Sequence, residues 1–260
     1  MPFTPSHVAA ALPFVRTPLL TAGVVVGTMA PDIPYYVPVP VPRELSHSAL
    51  GAVTVDPLMA LIVVAAWWWL LREPVIDLLP RFVGERIPPL SSTGWRPAGW
   101  GWGRTVLVLL ISVLLGIATH LIWDSFTHPG WVADHVAVLR VQLGPLLVEK
   151  WLQHASTVAG LLAIGVWATR RLRRTPRDPA RPTRLTPTQR RAGEVVFGAA
   201  GVVAGLVAWI HGIVAGDAPF DPGLVFLVAR VGMGVAGAAA ILLVILWLIV
   251  KPARRARSAS

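Results

Sequence analysis

Long hydrophobic runs alternate with polar segments along most of the chain. Five runs approach or exceed the roughly 20 apolar residues that a helix needs to cross a bilayer. They cover about residues 49–71, 105–123, 151–170, 194–215 and 223–250. Hydrophobic residues make up 55% of the chain and charged residues only 14%, a composition too apolar for a soluble domain. The pattern predicts an all-α, polytopic integral membrane protein, a helical bundle of about five spanning helices.

The segment before the first long run predicts shorter elements. Thr4 followed by Pro5 is typical of a helix start and predicts a short helix over about residues 5–11. A second apolar stretch, residues 19–30, is too short to span easily and predicts a re-entrant or tilted helix. The proline-rich residues 33–47 predict an extended loop, because proline removes a backbone donor and breaks helices.

Positive charge is concentrated in alternate connections between the runs. The net charge is +10, and arginines crowd residues 72–104, residues 170–191 and the tail after residue 250, whereas residues 216–222 contain no cation. By the positive-inside rule, the basic connections and the C-terminus are cytoplasmic. This predicts a multi-pass membrane protein. Arginines beside spanning helices indicate topology and headgroup contact, so the bilayer is the expected partner and nucleic acid is not.

The ends of the hydrophobic runs and of the basic connections predict four segments of the chain. Residues 1–170 form a membrane-embedded domain that carries the candidate site, and residues 171–192 form a basic cytoplasmic linker. Residues 193–250 form a C-terminal helical hairpin, and residues 251–260 form a basic cytoplasmic tail.

The most informative polar residues are His120, Asp124 and His128, which lie at four-residue intervals at the end of the second long run. An ideal helix turns once every 3.6 residues, so this spacing projects all three side chains from one face. Imidazoles and a carboxylate are costly to bury beside lipid unless they are paired or bind a metal. The pattern predicts half of a metal site. The alternative is a hydrogen-bonded His–Asp pair that ties helices together.

The position of His128 allows two interpretations. On a continuous helix it would stand about 12 Å from His120, at 1.5 Å per residue, which is too far for one ion to bind both. Either the helix ends before His128, as Pro129 and Gly130 favour, or His128 binds a second ion or acts as an acid or base.

The predicted topology places polar residues from distant segments on one membrane face. His47, His120 and His154 all lie at the extracytoplasmic ends of their runs, while the loops predicted to be cytoplasmic contain no histidine. The chain also has no cysteine, so a metal would take nitrogen and oxygen ligands. Such ligands suit a divalent cation, with zinc expected first and manganese, iron or magnesium as alternatives.

Four sequence motifs resemble a known family. The segments TPSHVAA, APDIPYY, HSALG and HLIWDSFTHPGW, in that order over about residues 1–155, resemble a bacterial family known as domain of unknown function 4184. That family is similar to inner-membrane metal-dependent hydrolases, whose pattern of His and Asp resembles that of zinc-dependent phospholipase C. The resemblance implies metal-ligand roles for His7, Asp32, His47, His120 and Asp124, with His128 close by.

Other ionisable residues receive weaker assignments. Asp56 precedes Pro57 inside the first long run, where its side chain would cap a helix that starts at the proline. A proton relay or a partner of a metal ligand is the alternative for Asp56. His154, in the segment QHAST, is a candidate ligand or a residue that orients one. Surface or helix-bridging positions are expected for His135 and His211.

The candidate site supports two functions. A catalytic metal activates water and polarises a phosphoryl or carbonyl oxygen. This predicts a membrane-bound metal-dependent hydrolase at the extracytoplasmic face, with a phospholipid or a lipid-linked ester as substrate and with Asp124 and His128 as catalytic residues. The alternative is a non-enzymatic protein that binds a metal or transports ions or protons through the same cluster. Transport requires ionisable groups near the membrane middle, where the sequence offers chiefly Asp56 and Arg230.

Overall fold

Helices account for nearly all of the regular structure. The computed structural model describes residues 4–88, 96–181, 183–218 and 222–249. In chain order, the α-helices are α1 (Thr21–Gly27), α2 (Ile33–Tyr36), α3 (Arg43–Ser46), α4 (Ala49–Val53), α5 (Val55–Ala66), α6 (Arg72–Leu78), α7 (Arg81–Gly84), α8 (Trp102–Thr127), α9 (Trp131–His135), α10 (Val148–Arg174), α11 (Pro187–Val214) and α12 (Pro222–Ile249). Within these residues, 3-10 helices cover Thr4–Phe14, Ala30–Asp32 and Ala137–Arg140, and a π-helix covers Trp67–Leu71. The predicted all-α fold is confirmed, and the tail predicted over residues 251–260 lies outside the described residues.

The described strands form one short hairpin. The strand β1 (Gln142–Leu143) pairs antiparallel with β2 (Leu146–Leu147) in the connection between α8 and α10. Gly144 lies at the turn with a φ of +62°, a conformation that glycine adopts without strain. The second strand leads directly into α10.

Four helical segments are long and apolar enough to cross a membrane: Val55–Leu78, Trp102–Thr127, Pro187–Val214 and Val231–Ile249. They coincide with four of the five predicted runs, and they make the chain a membrane protein. The remaining run also forms a helix, α10, which has 27 residues. Polar residues at both ends of α10 leave it a shorter apolar stretch than those of the four spans.

The chain divides into two compact units. The first comprises Met1–Trp68 and Leu90–Thr175, and the second comprises Trp69–Pro89 and Pro176–Ser260. Each unit therefore combines segments that are distant in sequence. The segment boundaries at residues 170 and 192 stay predictions from the sequence.

The core of the first unit lies where α1 and α8 cross. A Cβ atom on Gly27 would lie 2.3 Å from the carbonyl oxygen of Val113, and one on Gly116 would lie 2.3 Å from that of Val24. Only glycines allow the two backbones to approach this closely. The crossing presses the end of α1 against α8. The buried apolar residues around it are Val26, Ala30, Ala60, Val64, Leu109, Val113 and Ile117.

The proline-rich segment departs from its prediction. Residues 33–47 contain one helical turn at each end, α2 and α3, and only residues 37–42 between them are non-helical. The predicted loop is wrong at both ends because proline is tolerated in the first helical turn, where its missing N–H is not needed. Pro34 occupies such a position in α2, and Pro42 is the N-cap of α3.

The second unit is organised around Asp77, near the end of α6. Its carboxylate accepts hydrogen bonds from the Trp247 indole, at 2.8 Å, and from the Arg184 backbone N–H, at 2.9 Å. The Arg190 guanidinium donates to the Asp77 carbonyl oxygen at 2.7 Å. This buried acid therefore joins α6 to the basic segment after residue 176 and to α12.

Two further acids of this unit pair with arginines of the same basic segment. Arg181 lies 2.9 Å from Glu73, and Arg177 lies 2.7 Å from Glu85. The hydrogen bond from Arg177 holds the pKa of the Glu85 carboxyl below its ordinary value. The arginines of the basic segment are thus partly neutralised within the folded protein.

Candidate metal centre

Six histidine and aspartate side chains from separate segments converge in the first unit. They come from the N-terminal 3-10 helix, the second 3-10 helix, the end of α3 and the end of α8. In that order, the residues are His7, Asp32, His47 and the group of His120, Asp124 and His128. These are the six residues to which the sequence motifs point.

The cluster is buried, yet the atoms that face one another lack partners. Asp32 and His120 are fully buried, and His7 and Asp124 are 6% and 5% exposed. A buried polar atom without a hydrogen bond costs about 1–3 kcal/mol, and more when it is charged. A group of such atoms is therefore unfavourable unless it binds a ligand. The atoms without a hydrogen-bond partner among the described residues are Nε2 of His7, His47, His120 and His128, Oδ1 of Asp32, and both carboxylate oxygens of Asp124.

Four of these atoms form a closed ring. Asp32 Oδ1 lies 3.4 Å from His47 Nε2 and 3.7 Å from His120 Nε2. Asp124 Oδ2 lies 3.5 Å from His120 Nε2 and 3.8 Å from His47 Nε2. Four ligands placed about 2.1 Å from one ion in tetrahedral geometry are about 3.4 Å apart. The ring therefore has the dimensions expected of ligands around one metal ion.

His7 extends the cluster on the other side of Asp124. Its Nε2 lies 3.4 Å from Asp124 Oδ1, and its imidazole stacks on that of His120 with ring centroids 4.1 Å apart. Two groups could hold a metal ion, one of His7, His120 and Asp124 and one of Asp32, His47 and His120. A single imidazole nitrogen has one lone pair, so the two groups cannot each bind an ion through His120. The geometry fits one ion best, and a second ion would need Asp124 as a bridge.

In two of the histidines, a hydrogen bond at Nδ1 determines which ring nitrogen carries the proton. His120 Nδ1 lies 2.8 Å from the Thr28 carbonyl oxygen, which can only accept, so this nitrogen carries the proton. His47 Nδ1 lies 3.1 Å from the hydroxyl of Ser46, whose own proton is donated to the Pro31 carbonyl. In both imidazoles the lone pair is therefore on Nε2, the atom that faces the ring. Such partners are typical of metal-binding histidines.

Asp32 is oriented in a similar way. The Thr4 hydroxyl donates to Asp32 Oδ2 at 2.6 Å, and the Tyr36 hydroxyl donates to Thr4 Oγ1 at 2.9 Å. These two hydrogen bonds provide a partner for Asp32 Oδ2 and leave Asp32 Oδ1 directed at the histidines. The motif APDIPYY thus supplies both a ring atom and part of its support.

His128 follows the interpretation in which the helix ends before it. The last residue of α8 is Thr127, and His128 is the C-cap, so the separation expected for a continuous helix does not apply. Its Nδ1 lies 3.2 Å from the Asp124 carbonyl oxygen and 3.6 Å from Asp124 Oδ2. With the proton on Nδ1, its unpartnered Nε2 can accept a proton.

The environment keeps two of the imidazoles neutral. Burial, together with the nearby His120, lowers the pKa of His7 to about 4. Burial also lowers the pKa of His128 to about 4. Both side chains are therefore uncharged at neutral pH, which is the form that can bind a metal or accept a proton.

The remaining histidines lie apart from the cluster. His154, a weaker candidate from the sequence, is exposed and belongs to neither group that could hold an ion. His135 and His211 are exposed, as expected. The Nδ1 atom of His135 lies 2.7 Å from the Trp131 carbonyl oxygen, which is a local contact on α9.

The prediction that Asp56 caps a helix is wrong. The helix α5 begins one residue before Asp56, its N-cap is Thr54, and no side chain makes the capping hydrogen bond. Asp56 is fully buried, and neither carboxylate oxygen has a hydrogen-bond partner among the described residues. It interacts electrostatically with His47 and His120, so it lies near the cluster without belonging to either ligand group.

Several residues of the site were missed by reasoning from the sequence. Thr28, Tyr36 and Ser46 orient ligands, although Tyr36 lies inside one quoted motif and Ser46 immediately precedes another. Glu149 of α10 belongs to neither group that could hold an ion, but it is also buried, at 1% exposure, and its Oε2 has no hydrogen-bond partner among the described residues. No motif surrounds Glu149, and only its burial distinguishes it from an ordinary residue of the first helical turn.

Comparison with known proteins places the chain in a family. The family model for the domain of unknown function DUF4184 matches residues 1–248. The chain belongs to this family. Membership in DUF4184 thus extends well beyond residues 1–155, where the four motifs lie, and includes α11 and nearly all of α12. No curated protein and no solved structure matches the chain.

Proposed function

We propose that this DUF4184 protein is a membrane-bound metal-dependent hydrolase. The observation that carries the proposal is the ring formed by Asp32, His47, His120 and Asp124, whose facing atoms are buried, unpartnered and spaced like metal ligands. Zinc is the first candidate because the donor set mixes imidazole nitrogen with carboxylate oxygen, and manganese, iron and magnesium are alternatives. His7 supplies a further ligand.

A divalent metal held by the ring would polarise the phosphoryl or carbonyl oxygen of an ester and would make a nearby water more acidic. The residues of this chain then have separate roles. Asp124 would supply negative charge to the site through Oδ2, and its Oδ1 lies beside His7. His128 stands at the edge of the ring with Nε2 free, and it accepts a proton from the attacking water and returns it to the leaving group.

A cavity beside His7 supports a lipid substrate. It has a volume of about 360 Å³, and its other walls include Ala9, Ala10, Ile122 and Gly160. Ile122 is 61% exposed and lies near the end of a candidate span, where exposed apolar groups face acyl chains. We therefore propose a phospholipid or lipid-linked phosphoester whose acyl chain lies along these small and apolar side chains while the ester reaches the ring.

The proposed location is the extracytoplasmic face of the bacterial inner membrane, with a cytoplasmic C-terminus. This topology requires α10 to cross the bilayer in addition to the four candidate spans. A reporter fused after about residue 180 is expected to be cytoplasmic, and one inserted near residue 218 is expected to be extracytoplasmic, because arginines crowd the first position and are missing around the second. Paired alkaline phosphatase and fluorescent protein fusions measure both sides. The reverse pattern would place the cluster on the cytosolic side and exclude a substrate in the outer leaflet.

The alternative function is metal binding or transport without hydrolysis. An ion that crosses the membrane needs polar groups along its path. The ten central residues of each candidate span, however, contain neither charged residues nor histidine. Asp56 lies in the first turn of its span, and Arg230 lies within α12 but outside its ten central residues. This distribution favours a site at one face of the membrane over a transport path.

Hydrolysis and ion flux measured on the same variants in proteoliposomes test the proposal. On a panel of phospholipids and lipid-linked phosphates, a chelator and Asp124→Asn should each lower turnover at least about hundredfold, because the amide keeps the shape of the carboxylate without its charge. Asp56→Asn should retain most turnover, since Asp56 belongs to neither ligand group. The exposed His154 provides a matched control as His154→Ala. Ion flux that depends on Asp56, together with no turnover on the panel, would overturn the hydrolase proposal.

A further inference from the structure

A second and larger cavity lies along the C-terminal part of α10. Its volume is about 460 Å³. Three apolar side chains form one part of its wall: Ala163, Val166 and Trp167. Four arginines form the rest: Arg16, Arg170, Arg171 and Arg174.

The fold assembles this cavity from two distant segments of the first unit. Residues 163, 166, 167, 170, 171 and 174 repeat at intervals of three and four, so they share one face of α10. Arg16 follows the N-terminal 3-10 helix, which packs against α10. Arg173 lies on the same helix but does not line the cavity.

Among the described residues, none of the four arginine side chains forms a salt bridge or a hydrogen bond. The arginines of the following segment behave differently, since Arg177 and Arg181 are paired with Glu85 and Glu73. Four like charges around one cavity repel one another, and an anion between them removes this cost.

We propose that this cavity binds the headgroup of an anionic phospholipid. Guanidinium groups bind phosphate oxygens through two parallel hydrogen bonds. The apolar wall formed by Val166 and Trp167 would contact the start of an acyl chain, and tryptophan is a preferred residue at the level of the headgroups. A ligand with a phosphate at one end and hydrocarbon at the other satisfies both parts of the wall.

The lipid site is separate from the candidate metal centre. Gly160 of α10 packs against Ser6, the neighbour of His7. The arginines at positions 170–174 lie 10 to 14 residues further along the helix, or about 15–21 Å at 1.5 Å per residue. Binding at this site therefore does not depend on the proposed hydrolysis.

Native mass spectrometry of the detergent-purified full chain, mixed with equimolar phosphatidylglycerol and phosphatidylcholine, tests the proposal. The wild type should retain one molecule of phosphatidylglycerol in preference to phosphatidylcholine. Arg174→Gln should weaken this retention about fivefold, and the pair Arg170→Gln with Arg174→Gln about twenty-fivefold. Arg173→Gln removes the same charge from a position of α10 that does not line the cavity, and it should leave retention unchanged. Circular dichroism and gel filtration establish that each variant is folded.

Two results would overturn the proposal. If Arg173→Gln weakened retention as much as Arg174→Gln, the lipid would respond to the overall basic charge and not to the cavity. If inorganic phosphate at millimolar concentration displaced the lipid completely, or if phosphatidylcholine were retained equally, the cavity would not select an anionic lipid.

Discussion

Replacing His120 with alanine is expected to remove the bound metal from the protein. His120 belongs to both groups that could hold an ion, and its Nδ1 is held by the Thr28 carbonyl so that Nε2 faces the other ligands. If about 10–16 kcal/mol of binding free energy is shared among four ligands, the loss of one weakens affinity about seventyfold or more. Elemental analysis of protein purified without chelators should find a stoichiometric metal in the wild type and none in His120→Ala.

Two further variants keep this result interpretable. His154→Ala changes an exposed imidazole outside the cluster and should retain the metal. Asp124→Asn preserves the volume of a ligand, so it should lose the metal even if the alanine variant at position 120 folded poorly. A wild type that contains no metal, or a His120→Ala variant that keeps a full complement, would contradict the assignment of the ring as a metal centre.

Replacing Gly116 with alanine is expected to destabilise the first unit strongly. The added methyl group would lie 2.3 Å from the Val24 carbonyl oxygen and 2.8 Å from the Thr28 backbone nitrogen, so α1 and α8 must separate. Such overpacking typically costs about 1–3 kcal/mol, and more when backbone must move. Because the Thr28 carbonyl orients His120, metal affinity should fall together with the midpoint of thermal unfolding. Thermal unfolding in detergent, followed by circular dichroism, measures the first effect.

Gly165 provides the matched control. It lies within α10, and a Cβ atom there would meet nothing within 4 Å. Gly165→Ala should be neutral or slightly stabilising, since alanine favours the helix more than glycine does. Equal stability of Gly116→Ala and the wild type would mean that the close crossing does not determine the position of Thr28.

The sequence predicted the helices for physical reasons, and it predicted the candidate ligands partly from helical spacing and partly from the family resemblance. A bilayer demands long apolar runs, so the spans could be recognised from composition and length. His120 and Asp124 are one helical turn apart, and the other ligands were suggested by the family resemblance. The support of the ligands could not be predicted, because it depends on contacts such as that between His120 and Thr28, which are 92 residues apart.

Other features depended on details that a pattern cannot supply. The end of α8 at Thr127 decided the position of His128, and the sequence left that boundary open. The start of α5 before Asp56 removed the expected cap. Arg16 joined the arginines of α10 only through the packing of the first unit. In each case the environment of the side chain depended on the exact end of a helix or on a contact between residues distant in sequence.

The polar contacts of Asp77 also impose an order on biosynthesis. Asp77 is synthesised long before its partners, since Arg190 follows it by 113 residues and Trp247 by 170 residues. Glu85 likewise lacks its partner Arg177 until 92 further residues have been synthesised. The Glu85 carboxylate must remain hydrated near the membrane surface until Arg177 has been synthesised, and the Asp77 carboxylate until the ribosome has completed α12. The end of α6 can therefore reach its final environment only when synthesis of the protein is nearly complete.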